Sequence, residues 1–458
     1  MHGRSATLGP TLAVLPHSIL PNVKRALGIV FVAMALHACR RPAPDPVTLC
    51  YFRLGWSQPD ELPTAAPLSQ QFTRQTGIRL NSIPVPENTL DQLDLSRKLL
   101  QEGSADPDVL GLDVIWSGVL ADDLIDLGPH LATELSLLEP HLAPSYTVQG
   151  KLVAIPYQVQ IGVLEYRTDL LREYGYDHPP KTWDELEGMA ERIQAGERAK
   201  GKKDFWGYVW QGAATEALTC NALEWQASEG GGRIIESGRT ISVNNPAAIR
   251  SWQRAKRWIG WISPPGVLGY READSINAFD SGGAAFNRVW GGARISRNKQ
   301  STQLHWRSSL PVTKTGYTSM PGGADGSVGT LGGSGLAVSR HSTHPQEAIE
   351  LVRFLLRAQI HSEENDSANL HAQPQVHDRP SVSETPGDFE KSDRHKGGIV
   401  SRPSNETART YEEVARAYIN AVHSVLTGET NARKAASELE GNLTEITGFP
   451  VGPPKGTE

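Results

Sequence analysis

Apolar positions along this chain recur with two periods, one near 2 and one near 3.6, and the two alternate segment by segment. Val47–Arg53 (VTLCYFR) is rich in β-formers and predicts a first strand. Pro67–Gln75 predicts a helix ended by Gly77. Ile78–Ile83 predicts a second strand, and Leu90–Glu102 an amphipathic helix stopped by Gly103. Val109–Trp116 is almost continuously apolar, as a strand buried on both faces is. This βαβαβ opening predicts an α/β fold with a parallel sheet covered by helices.

The alternation resumes downstream. Thr182-Trp183-Asp184-Glu185 is a capping box for a helix running to about Gln194. Phe205–Trp210 reads as a strand, and Glu216–Ser228 as a helix ended by Gly230-Gly231-Gly232. Asn245 followed by Pro246 opens another helix. Ala284–Trp290 reads as a strand, Thr343 and Pro345 open a helix through Gln359, and Thr407–Leu426 and Asn431–Thr447 are two amphipathic helices. Two segments break the rhythm. Gly322–Gly335 (GGADGSVGTLGGSG) lacks the Lys-Ser/Thr of a phosphate loop and reads as a crossover between lobes. Ser362–Arg402 is polar with almost no apolar period and reads as a long surface loop. The spacing of His361, His371, His377 and His395 fits no ligand motif, so no metal is expected.

The amino terminus carries an address. Lys24 and Arg25 precede a thirteen-residue apolar run, Ala26–Ala38, which is followed by Cys39 and Arg40. A basic flank, an apolar core and a small residue before a cleavage point make a secretory signal over residues 1–38. The run is shorter than the ~20 residues of a membrane-spanning helix. Leu36 three before the cut and a cysteine after it look like a lipobox, although His37 stands where a small residue is usual. Cys39 is thus the expected lipidation site, with 39–46 as an anchored linker on the outer side of a bacterial membrane.

Composition narrows the function. The 420 residues from Cys39 onward have no exported ATP or nicotinamide pool to draw on, and no cofactor is expected. Loss of Arg4, Lys24 and Arg25 takes the net charge from −6 to −9, which argues against nucleic acid. Cys50 and Cys220, the remaining cysteines, sit in apolar settings and read as two buried free thiols. Neither a G-x-S-x-G elbow nor an H-E-x-x-H helix is present, so no catalytic residue is assigned. Fifty-one acidic residues leave a glycosidase-like carboxylate pair open. Eleven tryptophans stand out instead. Trp206, Tyr208 and Trp210 alternate along one strand and read as core. Asp113 with Trp116 at one strand end, and Trp290 at another, sit where open α/β sheets bind ligands. An indole face suits a sugar's C–H surface and a carboxylate its hydroxyls.

At these positions the chain resembles a known family. DPDVLGLDVIW (106–116), AIPYQVQIGVLEYRTDLLREYGY (154–176), PPKTWDELEGMAERIQ (179–194), GYVWQGAATEALTCNALEWQASEGG (207–231) and AAFNRVWGGA (284–293) are similar to family 1 extracellular solute-binding proteins, above all trehalose/maltose-binding lipoproteins of ABC importers. The resemblance implies a two-lobed, type II periplasmic-binding-protein fold, its ligand cleft lying between lobes joined by a multi-strand hinge. On that pattern 47–155 plus 312–370 form one lobe, 156–311 plus 371–447 the other, and 448–458 a tail. It implies ligand contacts at Asp113, Trp290, Arg402 and Glu61. Gln158 and Gln160 stand where relatives carry an aromatic and an aspartate, Gly292 where they carry an aromatic, and Ser334 where they carry a tryptophan. The implied partners are a carbohydrate, the permease subunits and their cytoplasmic ATPase, with the binder itself a monomer. A glycan hydrolase and a solute sensor uncoupled from transport are the competing readings.

Overall fold

Three short strands at the start of the chain, β1 (Thr48–Phe52), β2 (Arg79–Ile83) and β3 (Val109–Asp113), pair in parallel in the order β2-β1-β3. The helices Leu68–Thr76 and Thr89–Gln101 connect them, as the βαβαβ pattern predicts. The structure is a computed structural model that describes residues 46–52, 68–86, 89–138, 142–291, 314–361 and 398–455. Cys39, Glu61 and Gly292, with the signal segment 1–38, lie outside the described residues.

From β3 the sheet turns antiparallel. Two small hairpins, β4 with β5 (Thr147–Val148, Lys151–Leu152) and β8 with β9 (Ile235–Glu236, Thr240–Ile241), stand apart from it. The main sheet gains β6 (Ile155–Arg167), β7 (Trp206–Val209), β10 (Ala284–Trp290), β11 (Thr315–Ser319), β12 (Gly322–Gly323), β13 (Gly326–Val338) and β14 (Gly398–Val400). Its order is β2-β1-β3-β13-β6-β10-β7, with β11 on β6 and β12 and β14 on β13. Only β10 with β7 and β13 with β14 restore the parallel sense in this half, so the expected parallel sheet is a mixed one.

Several local expectations are corrected. The glycine-rich Gly322–Gly335 is not a bare crossover: most of it lies in β12 and β13, where the glycines admit close neighbours. Gly333 has φ +103°, and a Cβ there would fall 2.1 Å from the Gln158 carbonyl oxygen. A β-bulge follows, between Ser334 and Gly335. The end of the polar segment, Gly398–Val400, is a strand paired to β13 and not loop. The third strand stops at Asp113, because its carboxylate accepts from the Ile115 N–H at 3.1 Å and caps a 3-10 turn, Val114–Trp116. Cys220 is buried but Cys50 only partly, and both are free thiols.

The helix signals read correctly where capping chemistry carries them. Thr182 accepts from Glu185 N–H at 3.2 Å at the head of Trp183–Ala199, and Asn245 accepts from Ala247 and Ala248 N–H ahead of Pro246–Trp258. Tyr411–Thr427 and Ala432–Thr447 each end on a left-handed glycine, Gly428 and Gly448. No helix among the described residues is long and apolar enough to cross a membrane.

The largest core lies around five aromatic rings. Trp258 meets Trp183 at 5.4 Å, Tyr208 at 5.6 Å and Trp225 at 5.6 Å, and Trp210 packs edge-on to Trp225 at 4.9 Å. Tyr208 and Trp210 are therefore core, while Trp206, at the strand's start, is half-exposed beneath the Arg198 guanidinium. Edge-to-face geometry suits ring quadrupoles. Trp258→Ala should lower unfolding free energy by about 3–5 kcal/mol, read from the urea midpoint at unchanged slope.

Candidate functional site

The strand registers bring distant residues onto one face of the sheet. Ser334 of β13 pairs directly with Asp113 of β3 on one side and Gln158 of β6 on the other. Gly332 pairs with Gln160, and Gly162 of β6 pairs with Trp290 of β10. Directly paired residues point the same way, and so do residues two apart in a strand. Asp113, Ser334, Gln158, Gln160 and Trp290 therefore share one face. The Trp290 ring reaches over the floor at Gly332, where a Cβ would fall 2.7 Å from Cζ3.

The Glu216–Ser228 helix covers this face with an acidic stripe at four-residue spacing. Glu216, Cys220 and Glu224 each meet the sheet or its neighbours. Glu216 accepts from Arg402 Nη1 at 3.1 Å and from the Tyr411 hydroxyl at 2.5 Å. The Cys220 carbonyl accepts from Thr330 Oγ1 at 3.0 Å. Glu224 accepts from Arg288 Nε at 3.1 Å, Arg288 Nη2 at 2.5 Å and Thr330 N–H at 3.1 Å. Burial pushes the Cys220 thiol up to about 12, so it stays protonated.

Arg402, 8% exposed, joins the two ends of the site. Its Nη2 lies 4.0 Å from Asp113 Oδ1 and donates to the Leu331 carbonyl at 3.3 Å. Its Nε has no hydrogen-bond partner, and neither do Ser334 Oγ and Trp116 Nε1, all three buried. Trp116 itself is 3% exposed within the 3-10 turn, whereas Gln158, Gln160 and Trp290 are half-exposed.

Reading the sequence alone missed Glu216, Tyr411, Arg288 and Glu224. The discoverable signal was two glutamates eight apart in a helix whose other positions are nearly all buried. A further group of potential metal ligands, Cys50, Asp106 and Asp108, lies on the β1–β3 side. Asp108 is already used within the fold, accepting from Cys50 N–H at 2.7 Å and from the Ser342 hydroxyl.

Polar residues thus gather on two adjacent thirteen-residue strands, under a helix that contributes two glutamates. Residues 55–361 match the family described as bacterial extracellular solute-binding protein, and the chain belongs to that family. Its fold is the two-lobed, type II α/β fold of periplasmic binding proteins. A probable ABC transporter-binding protein of Deinococcus radiodurans is 37% identical over 383 residues, 82% of this chain and 89% of that protein. The maltose-bound T. maritima MalE3 structure superposes with a TM-score of 0.71 at 30% identity, covering 87% of this chain and all of that one. The GacH receptor of Streptomyces glaucescens, solved with acarbose, has a TM-score of 0.67 at 20% identity over 88% of this chain and 99% of its own.

Burial raises the pKa of both Asp113 and Glu216, with Arg402 opposing in each case. A carboxyl raised in the folded state stabilises the fold fully below its unfolded pKa, and that contribution is lost as pH rises through the folded value. The stability of Asp113→Asn relative to wild type should therefore climb as pH rises above about 4, the unfolded carboxyl's value, the asparagine keeping the Ile115 cap. Parallel melting curves across that range test it; a constant difference would show the Asp113 carboxyl unshifted.

Proposed function

We propose that this chain is the carbohydrate-capturing component of an ABC importer, closing two lobes on a di- or oligosaccharide of the trehalose/maltose type and handing it to the permease. The observation that carries the reading is the single face holding Asp113, Ser334, Gln158, Gln160 and Trp290, with Arg402 brought against it. Asp113 accepts from sugar hydroxyls, Arg402 donates to ring or hydroxyl oxygens, and Trp290 stacks on the sugar's apolar face. Gln158 and Gln160 both donate and accept, which suits hydroxyls of either orientation. The names of the Deinococcus relative and of the maltose-bound T. maritima structure support this class of ligand and partner.

The lobes in this reading are 47–155 plus 312–370 and 156–311 plus 371–447. They meet along β6 and β13, the two thirteen-residue strands, and swing as a hinge. Cys39 anchors the monomer to the membrane and keeps it at the permease mouth. Glu61 and Gly292 complete the contacts, and Trp116 backs Asp113. No covalent chemistry is involved: Asp113 and Glu216 both lean on Arg402, so neither is set apart as acid or base.

A thermal-shift series with maltose, trehalose and longer maltodextrins tests the proposal. At about one hundred times Kd a true ligand stabilises by about 2.7 kcal/mol. Trp290→Ala should weaken binding by roughly 2 kcal/mol, ~30-fold, with the fold intact. Silence with every sugar would move the function to another solute, and product formation from a glycan would make the protein a hydrolase. Unchanged affinity in Trp290→Ala would remove that ring from the site.

A further inference from the structure

The half-exposed indole of Trp290 rests on a buried charge. The Arg288 guanidinium carbon lies 4.1 Å from the centre of the Trp290 ring. Arg288 and its partner Glu224 are both wholly shielded from solvent. Two guanidinium nitrogens fork onto the two carboxylate oxygens, and the Thr330 N–H donates to Oε1 from the neighbouring strand. The third nitrogen, Nη1, has no hydrogen-bond partner. The Trp290 ring face lies beside the guanidinium and offsets part of that loss, as cation–π attraction allows. Gly162 makes the arrangement possible, since a Cβ there would fall 1.8 Å from Glu224 Oε1 and 2.6 Å from Arg288 Nη2.

A buried ion pair is seldom needed for stability, because well-packed apolar residues of like volume often serve as well. What apolar residues cannot supply is a planar cation that fixes the ring above it, and a lysine lacks the plane. We propose that Arg288 is the positioning residue of the sugar platform: clamped by Glu224, its guanidinium holds the Trp290 indole over Gly332 and so sets the affinity for a sugar stacked on the opposite face. The inference rests on reading Trp290 as the stacking residue.

The test compares wild type, Arg288→Lys, the charge-free pair Arg288→Met with Glu224→Met, and each of these combined with Trp290→Ala. The paired change leaves no orphan carboxylate, and Arg288→Lys covers the case in which it fails to fold. The first readout needs no sugar. The Trp290 contribution to near-ultraviolet circular dichroism, taken as the difference on Trp290→Ala, should shrink in Arg288→Lys and collapse in the paired variant. The second is calorimetric titration with maltose. The paired variant should bind about tenfold more weakly, yet the paired change should cost no further affinity once Trp290 is already alanine, since coupled residues are not additive. An unchanged Trp290 spectrum in variants that fold overturns the proposal, as does a maltose loss that adds to that of Trp290→Ala. If wild type binds no maltose, the sugar reading fails and the spectrum alone decides the role of Arg288.

Discussion

The register between β6 and β13 is the constraint on which the rest of this structure depends. Strand side chains alternate faces, so a slip of one residue would send Gln158, Gln160 and Ser334 to the opposite side. Two features pin the register. Gly333 takes a backbone conformation closed to most residues, pressed against the Gln158 carbonyl, and the bulge after Ser334 absorbs the irregularity. β13 then carries the alignment to β3 and β14, and β6 carries it to β10 and β11. Asp113 and Trp290, separated by 177 positions in the chain, reach one face through that pair of strands.

The second organising element is the Glu216–Ser228 helix. Its two carboxylates, a half-exposed Glu216 and a buried Glu224, engage two guanidiniums at opposite ends of the site, Arg402 and Arg288. Each contact crosses between elements: helix to the loop after β14 in one case, helix to β10 in the other. Charges in such a place are costly to desolvate, and the forked geometry with added donors is what makes them tolerable. Arg402 also approaches Asp113, so the same cation ties the helix to the end of β3.

How much of this was legible follows from which signals are local. Capping residues Thr182 and Asn245, the left-handed glycines and the 3.6-residue stripes mark helices within a few positions, because a helix satisfies its hydrogen bonds within itself. β13 was invisible as a strand: Gly-rich segments lack the branched residues that mark one, and its pairing is decided by partners more than 150 positions away in β6. β14 was hidden in polar sequence for the same reason. Val109–Trp116 looked like a single strand because hydrophobicity alone cannot register that the Asp113 carboxylate turns the chain.

By itself the sequence determined the α/β alternation, the helix starts marked by caps, the tryptophan-rich core and, through motif resemblance, the family, and it marked Asp113, Trp290 and Arg402 as candidates. Only the tertiary structure decided which partners those residues have: that Arg402 answers to Glu216 and Asp113, that Trp290 lies on Arg288 over a glycine floor, and that Trp116 is enclosed in the body of the protein. The physical reason is range. Helix propensity, caps and periodicity act over a few residues and can be read along the chain. Strand register, burial and the pairing of charges are settled by contacts between segments that meet only in the folded state.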